Sequence, residues 1–228
     1  MGTQITFYGH AALGIETGEY TLLVDPYFTG NPQSAVDVET ITTDYILVTH
    51  GHGDHLGDTV PIAKRTNATV ICNTEIGDWL EQRGVKTWLM QVGGSSQLPF
   101  GRLSMTFALH SSTLEDSTYG GNPAGFLLTT ILGEKIYLAG DTGLFGDMKL
   151  IGEEGIDLAV LPIGGKYTMD PVDALKAVEL IQPRVVIPIH YNTFDAIRQD
   201  AQAWKAQVEA KTKTRVVVLQ PEEMFEIE

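Results

Sequence analysis

The segment Thr49 to Gly57 constrains the fold and the chemistry of this chain more than any other feature of the sequence. It reads Thr-His-Gly-His-Gly-Asp-His-Leu-Gly and directly follows the apolar stretch Tyr45 to Val48. Three of the six histidines in the chain lie in this segment, beside an aspartate. Imidazole nitrogens and carboxylate oxygens are the usual protein ligands of zinc and related divalent ions. The segment therefore predicts a metal site in a loop that a buried strand holds in place.

Three further side chains that can bind metal follow predicted strands. His110, Asp141 and His190 each come directly after a segment with the residue pattern of a strand. Binding groups of α/β proteins collect in loops beyond the carboxyl ends of strands, because the rigid sheet fixes where those loops start. We therefore expect these three side chains to lie beside the Thr49 to Gly57 segment.

The order of apolar segments and turn signals indicates an α/β fold. Both halves of the chain begin with hairpin strands and continue with alternating strands and helices, which suggests two similar sheets packed face to face with helices outside. No linker or shift in composition divides the chain, so we expect one domain over residues 1–228. The predicted helices span 58–65, 74–82, 171–181 and 195–209, and residues 93–97 are expected to form a loop. The predicted strands span 4–8, 11–16, 20–24, 45–48, 69–72, 102–109, 124–131, 135–139, 157–161, 185–189 and 215–219.

Composition and charge argue against several classes of protein. The chain has 15 Lys and Arg against 29 Asp and Glu, a formal net charge of −14. Nucleic acid is not an expected partner, because Lys and Arg supply most of the non-specific affinity for it. No apolar run approaches the ~20 residues that cross a bilayer, and the start of the chain lacks a secretory signal pattern. With Cys72 as its single cysteine, the protein is expected in the cytoplasm.

The metal-binding residues occur in the order of a known superfamily. The motif His-x-His-x-Asp-His comprises His50, His52, Asp54 and His55, and it is followed by His110, Asp141 and His190. On these residues the chain resembles the metallo-β-lactamase superfamily of metal-dependent hydrolases. Four further segments resemble compact metal-dependent hydrolases related to bacterial sugar-phosphate lactonases: Gly9 to Ala11, Val24 to Pro26, Gly164 to Pro171 and His190 to Phe194.

This resemblance implies a four-layer αββα sandwich with metals at one edge of the two sheets. It also implies two metal positions that share Asp141 as a bridge. The first position would be held by His50, His52 and His110, and the second by Asp54, His55 and His190. Asp141 stands where the zinc β-lactamases use cysteine, so the chain is more similar to the phosphodiesterase, thioesterase and lactonase branches than to the antibiotic-degrading enzymes.

Two divalent ions would make this site a local anion trap in an acidic protein, since Asp54 and Asp141 return only two of the four positive charges. Paired metal ions lower the pKa of a shared water, and the resulting bridging hydroxide is the expected nucleophile. Asp54 can orient this hydroxide and pass its proton to the leaving group. Zinc is the expected metal, with manganese, nickel and iron as alternatives.

The expected function is hydrolysis, by a dinuclear centre, of an ester, lactone or phosphodiester bond in a small anionic substrate. A metal-dependent nuclease of the same superfamily and a non-catalytic metal-binding regulatory protein are the alternatives. The net charge of −14 argues against the nuclease, and the complete ligand set argues against the regulatory protein. The sequence predicts no particular oligomeric state.

Two residues near the start of the chain are candidates for supporting the metal site. Asp25 ends a predicted strand before Pro26, where its carboxylate can accept the free N–H of a ligating imidazole and fix the tautomer of that ring. An ordinary turn-starting aspartate is the alternative. His10 lies at the predicted turn Gly9 to Ala11. We expect it either to face the pocket, as a catalytic acid, a substrate contact or an outer-shell ligand of the metal, or to be a structural turn histidine.

Four further residues are candidates for substrate binding. Lys166 can hold an anionic group as a point charge and the hydroxyl of Tyr167 can donate to an oxyanion, although a solvated loop lysine is the alternative. Tyr191 and Asn192, next to His190, either shape the pocket or support that ligand. The loop over residues 111–123 is long enough to cover the site as a lid.

Overall fold

Two seven-stranded mixed sheets form the centre of the structure, a computed structural model that describes residues 2–227. The first sheet contains, in spatial order, β14 (Met224–Glu226), β1 (Gln4–Phe7), β2 (Leu13–Thr17), β3 (Tyr20–Val24), β4 (Tyr45–Leu47), β5 (Thr69–Asn73) and β6 (Thr87–Met90). The second contains β13 (Arg215–Val216), β12 (Val185–Ile189), β11 (Leu158–Pro162), β10 (Lys135–Leu138), β9 (Ala124–Thr130), β8 (Gly101–Phe107) and β7 (Ser95–Leu98).

The two sheets follow the same plan. In the first, β14, β1, β2 and β3 pair antiparallel, and β3 to β6 pair parallel. In the second, β7 to β10 pair antiparallel, and β10 to β13 pair parallel. The expectation of two similar sheets is therefore confirmed at the level of strand pairing.

Helices cover the outer face of each sheet, which confirms the predicted four-layer αββα arrangement. They are α1 (Gly53–Leu56), α2 (Thr59–Thr66), α3 (Thr74–Glu81), α4 (Met148–Gly152), α5 (Pro171–Ile181) and α6 (Ala201–Lys211), with a short 3-10 helix at Asp195–Ile197. One apolar cluster fills the space between the sheets. Two further clusters lie on the outer faces, one between each sheet and the helices that cover it. No helix within residues 2–227 is long and apolar enough to span a bilayer.

Strand β11 shows how the sequence sorts side chains between these layers. Leu158 and Val160 belong to the cluster between the sheets, whereas Ala159 and Leu161 belong to the cluster beneath the helices. Side chains alternate between the two faces of a strand. A continuous apolar run is therefore what a strand buried on both faces requires.

The two sheets meet at the edge that carries the predicted metal site. The backbone N–H of Ala124, at the start of β9, donates to the carbonyl oxygen of Thr49, which follows β4 (3.0 Å). Gly140, which follows β10, has φ +61°, and a Cβ there would lie 2.9 Å from the Ala124 oxygen and 3.0 Å from the Thr49 side chain. Only glycine fits this left-handed, crowded position. It brings Asp141, the next residue, against the loop from the other sheet.

Some predicted elements end at the wrong residues, and some elements of the structure were not predicted. The helix predicted over 195–209 is instead a 3-10 turn followed by α6, because the side chain of Asp200 accepts from the backbone N–H of Ala203 and starts a new helix there. Strands β6, β7 and β14 and helix α4 were not predicted, and residues 95–97 lie in β7 rather than in a loop. The strand predicted over 215–219 extends only to Val216.

Candidate metal centre

All six histidines of the chain converge at this sheet edge, and the first group consists of three imidazoles. Nε2 of His50 lies 2.9 Å from Nδ1 of His52, and Nε2 of His110 lies 3.3 Å from the same nitrogen. Two nitrogens bound to one tetrahedral zinc ion at about 2.0–2.1 Å are roughly 3.3 Å apart. The spacing of these nitrogens therefore fits three ligands of one metal ion.

A second group lies beside the first and combines imidazoles with a carboxylate. It comprises His10, Asp54, His55 and His190, whose ligand atoms all lie within 4.8 Å of one another. Asp54 and His55 come from α1, the short helix that the glycine-rich motif forms. Asp54 lies closest to His10 in this group, with 3.2 Å between its Oδ2 and Nε2 of His10.

The buried carboxylate of Asp141 faces both groups. Its Oδ2 lies 3.1 Å from Nε2 of His190 and 3.5 Å from Nε2 of His110, and its Oδ1 lies 3.3 Å from Nε2 of His55. Burial raises the pKa of Asp141, but His190 and His55 outweigh burial and hold this pKa well below its usual value. The side chain is therefore an anion, and its Oδ2 lies between His110 of the first group and His190 of the second, which fits a carboxylate oxygen shared by two metal positions.

Two buried atoms at this point show that the donor set suits a cation. Within residues 2–227, Nε2 of His55 and Oδ1 of Asp141 have no hydrogen-bond partner, even though they approach each other to 3.3 Å. A buried polar atom left unpaired costs about 1–3 kcal/mol. A divalent ion would use both lone pairs, so these residues fit the metal chemistry that the sequence predicts.

Asp25 supports two of the imidazoles from behind. Its Oδ2 accepts from Nδ1 of His55 (2.8 Å) and from the hydroxyl of Thr49 (2.6 Å). The Thr49 hydroxyl has one proton and gives it to Asp25, so Nδ1–H of His50 must donate to the Thr49 oxygen at 3.0 Å. Nδ1 of both rings therefore carries a proton that is bound away from the centre, and Nε2 of both rings faces the centre, where it would be free to bind a metal ion.

Three residues around the centre adopt backbone conformations that are rare outside glycine. His10 has φ 58°, Asp25 has φ 44° and His190 has φ 56°. Each such residue is expected to cost about 1–3 kcal/mol and persists only where the surroundings enforce it. The backbone N–H of His190 donates to the carbonyl oxygen of His10 (2.7 Å), so two of these strained residues hold each other in place.

Burial sets the protonation of the histidines. Burial lowers the pKa of His50 well below its usual value and lowers that of His10 to about 4. Burial also lowers the pKa of His52 and of His110. Burial acts in the same direction on His55, but Asp141 and Asp25 outweigh it and raise the pKa of His55 well above its usual value. Four of the rings are therefore neutral at pH 7, the state in which imidazole binds metal.

A cleft of about 410 Å³ opens onto both groups. Its walls combine the metal-binding side chains with apolar ones, and the lining residues are His52, Asp54, His110, Ser111, Asp141, Tyr167, His190, Phe194 and Ile197. Of the residues predicted to act in catalysis or to bind substrate, Asp54 and Tyr167 therefore face the space that a substrate would enter.

Other predicted residues lie elsewhere. Tyr191 is buried in the cluster beneath the helices of the second sheet, and Asn192 accepts a hydrogen bond from the backbone N–H of Gln199. Lys166 is exposed, with its Nζ 5.1 Å from the ring centre of Tyr167, and is not part of the cleft lining. Burial likewise keeps His10 from the cleft, because its ring lies behind Asp54 with no exposed surface. We therefore assign none of these four a direct contact with substrate.

Several residues of the centre were not singled out from the sequence. Thr49 and Thr193 each bind the Nδ1 of a histidine, at 3.0 Å from His50 and 2.8 Å from His10. Gln33, which accepts from the hydroxyl of Thr193, comes from a loop 160 positions away in the chain. The only sequence signal for the two threonines is their position close to a predicted ligand, since Thr49 precedes His50 and Thr193 lies three residues after His190. No sequence signal identifies Gln33.

Comparison with known proteins identifies the family of this chain. The family described as the beta-lactamase superfamily domain matches residues 20–191. A protein of Methanosarcina barkeri named UPF0173 metal-dependent hydrolase is 48% identical over 231 residues, covering all of both chains. A Thermus thermophilus protein of the same name is 46% identical over 208 residues, covering 91% of this chain and 92% of its own.

Solved structures show the same relationship. Igni18, described as a metallo hydrolase from the archaeon Ignicoccus hospitalis, superposes with a TM-score of 0.91 at 38% identity over the whole of both chains. The match to the family, the identity to these relatives and the shared fold show that the chain belongs to the UPF0173 metal-dependent hydrolases of the β-lactamase superfamily.

Proposed function

We propose that this metal-dependent hydrolase uses two divalent ions, held on either side of Asp141. The single observation that carries the proposal is the position of that carboxylate. One of its oxygens lies 3.3 Å from His55, and the other lies 3.1 Å from His190 and 3.5 Å from His110. The first position is assigned to His50, His52 and His110, and the second to Asp54, His55 and His190.

The residues of the chain have separate tasks in this mechanism. When bound, two divalent ions lower the pKa of a water molecule and polarise the group to be cleaved. Asp54 has the position of a proton relay, because its side chain is about one-third exposed (33%) in the cleft. Its pKa lies below the usual range, so the side chain is ionised and must accept a proton before it can give one. Burial raises that pKa, but the adjacent rings of His10 and His55 outweigh burial and lower it. We propose that Asp54 accepts a proton from the attacking water and hands it to the leaving group.

Zinc is the proposed metal. Five of the six assigned ligands at the two positions, apart from the bridge, are imidazoles, and the remaining one is a carboxylate. Such sets suit zinc, while manganese, nickel and iron remain the alternatives because the same ligand types bind them.

The proposed substrate is a small anionic ester, lactone or phosphodiester. A cleft of about 410 Å³ accommodates a small molecule rather than a polymer. Within residues 2–227 its lining contains no lysine or arginine, so the substrate charge would be met by the metal ions and by the hydroxyls of Ser111 and Tyr167. Phe194 and Ile197 form the apolar part of the wall, which favours a substrate with an apolar group beside the scissile bond.

The same lining argues against a nuclease. Proteins that grip nucleic acid use Lys and Arg along the backbone path, whereas this cleft has neither within the described part of the chain and the protein carries a net charge of −14.

Metal content with a matched control tests the proposal. Protein purified without chelator is expected to contain about two metal ions per chain, and Asp141→Ala is expected to lose at least one of them together with hydrolysis of lactone, ester and phosphodiester probes. The control is Asp147→Ala, an exposed aspartate whose side chain caps no helix. Full turnover in Asp141→Ala, or one metal ion per chain in the wild type under metal-replete conditions, would overturn the proposal.

A further inference from the structure

The side-chain amide of Gln33 has a fixed orientation. The backbone N–H of His10 donates to Oε1 of Gln33 (2.8 Å), and Nε2 of Gln33 donates to the carbonyl oxygen of Tyr191 (3.1 Å). A backbone N–H can only donate and a backbone carbonyl can only accept. The two contacts therefore identify which end of the amide is oxygen.

That orientation determines where the proton of Thr193 goes. The hydroxyl oxygen of Thr193 lies 3.1 Å from Oε1 of Gln33 and 2.8 Å from Nδ1 of His10. Oε1 has no proton to give, so the Thr193 hydroxyl donates its only proton to Gln33. Its oxygen is then an acceptor for His10, and Nδ1 of His10 must carry the proton.

In a neutral His10 ring the opposite nitrogen, Nε2, consequently carries a lone pair and no proton. This Nε2 points at Oδ2 of Asp54 from 3.2 Å. Two acceptors this close repel each other unless a proton or a cation lies near both. The ring is fully buried, and it lies in the same group as His55 and His190, whose ligand atoms are within 4.8 Å of it.

We propose that Gln33 and Thr193 are positioning residues that hold His10 in its Nδ1–H tautomer, so that Nε2 serves as an additional nitrogen ligand at the second metal position. The proposal rests on the two-metal function above and adds a residue outside the seven ligands that the superfamily motif contains. Gln33 and Thr193 touch neither metal nor substrate, and they act only through the His10 ring.

Removing the hydroxyl of Thr193 is expected to reverse the tautomer. With Thr193→Val, the Nδ1 of His10 would face a methyl group, and a buried N–H there would have no acceptor. The ring would then place its proton on Nε2 and donate to Asp54, which removes the lone pair from the second position. Thr193→Ser keeps the hydroxyl and is the matched control.

A measurement of zinc affinity, which does not depend on enzymatic activity, tests the series of contacts from Gln33 through Thr193 to His10. Metal-free protein is titrated with Zn²⁺ in competition with a chromophoric chelator, and its fold is checked by circular dichroism. Here the second equivalent means the zinc ion at the second metal position, and the first equivalent means the ion at the first position, whichever binds more tightly. In Thr193→Val we expect the second equivalent of zinc to bind about 10–100-fold more weakly, the usual effect of losing an outer hydrogen bond to a ligand, while the first equivalent is unchanged. Thr193→Ser is expected to bind both equivalents within about threefold of the wild type. Equal weakening of both equivalents, or no weakening, would overturn the proposal.

A second variant and a second readout keep the test decisive if Thr193→Val does not fold. Gln33→Met removes the acceptor of the Thr193 proton from a half-buried side chain, and the same selective loss of the second equivalent is expected. Nitrogen-15 NMR of the zinc-loaded wild type is expected to show His10 protonated at Nδ1 alone. A proton on Nε2 would contradict the inference. If the wild type binds only one zinc ion, the two-metal function fails, whereas two ions with an unaffected Thr193→Val variant would sink this inference alone.

Discussion

Two hydrogen-bonded relays of similar geometry, each running through a threonine hydroxyl, hold His50 and His10, and they differ in the group at their far end. In the first, the hydroxyl of Thr49 lies between Asp25 (2.6 Å) and His50 (3.0 Å). In the second, the hydroxyl of Thr193 lies between Gln33 (3.1 Å) and His10 (2.8 Å). One relay ends on a buried carboxylate and the other on a half-buried neutral amide.

The difference indicates how strongly each relay affects metal binding. A carboxylate partner fixes the tautomer of a ligating imidazole and also raises its basicity, whereas an amide fixes the tautomer alone. Asp25 also binds His55 directly at 2.8 Å, so one carboxylate supports a histidine assigned to each proposed metal position. Disturbing the Asp25 relay should therefore impair both positions, and disturbing the Gln33 relay should impair only the second.

Replacing the carboxylate gives the largest expected effect. Asp25→Asn can no longer accept from both Thr49 and His55, and we expect activity and the affinity for both metal ions to fall by about 100-fold. The metal-free protein should also lose about 3–5 kcal/mol of stability, because the buried pair with His55 is broken. Zinc titration and urea unfolding measure the two effects. A variant that loses only one metal ion would contradict the idea that Asp25 serves both positions.

Removing the hydroxyl of Thr49 gives a smaller effect and mirrors the Thr193 test. In Thr49→Val, Nδ1 of His50 loses its acceptor while Asp25 still binds His55. We expect the first equivalent of zinc to bind about tenfold more weakly, with the second equivalent nearly unchanged, and Thr49→Ser to restore binding. If Thr49→Val and Thr193→Val weaken the same equivalent, the two relays do not serve different positions.

The pH dependence of the metal-free protein separates the rings that are held neutral from the one that is held charged. The folded pKa values of His50 and His10 lie below the ordinary 6.5, that of His10 at about 4, so below pH 6.5 the unfolded chain binds more protons than the folded one. Their stabilisation is present above pH 6.5 and is lost as the pH falls toward 4. His55 acts oppositely, since its raised pKa gives stability that is complete below pH 6.5 and lost only at higher pH.

The unfolding temperature in the presence of chelator is therefore expected to fall between pH 6.5 and pH 4. His10→Gln removes one titrating ring and is expected to make that fall shallower. An unfolding temperature that rises across this range, or that is equally steep in His10→Gln, would contradict the assignment of His10 as a ring held neutral by burial.

A change in the cleft wall outside both relays gives the smallest effect. Tyr167→Phe removes a hydroxyl from an exposed residue of the lining, and we expect kcat to fall only a few-fold with both metal ions retained. Steady-state kinetics and metal analysis on the same sample measure this. Loss of metal in Tyr167→Phe would show that the wall and the metal positions are not separable.

Most of the strands and helices could be predicted from the sequence, because buried strands and amphipathic helices have periodic patterns of apolar residues. It did not predict β7, because the serines and glutamine of Ser95–Leu98 carry no apolar alternation and the strand exists only through pairing with β8. Edge strands of this kind depend on partners that lie elsewhere in the chain.

The site shows the same division between local and distant information. The motif from His50 to His55 and three residues at strand ends were predicted from sequence, and the structure places all seven at one sheet edge. Gln33 was not predicted, because it acts on Thr193 through a contact that only the folded chain creates. Lys166 and Asn192 follow the same kind of strand end as the ligands, yet both side chains lie outside the cleft lining, so position after a strand does not determine where a side chain points.

The central claim is that two metal ions bind on either side of Asp141, and anomalous diffraction tests it most directly. Crystals of protein purified without chelator would be measured above and below the absorption edge of the metal. We expect two anomalous peaks about 3.5–4 Å apart, one against His50, His52 and His110 and the other against Asp54, His55 and His190. A single peak at full occupancy, or two peaks that do not share Asp141, would contradict the account.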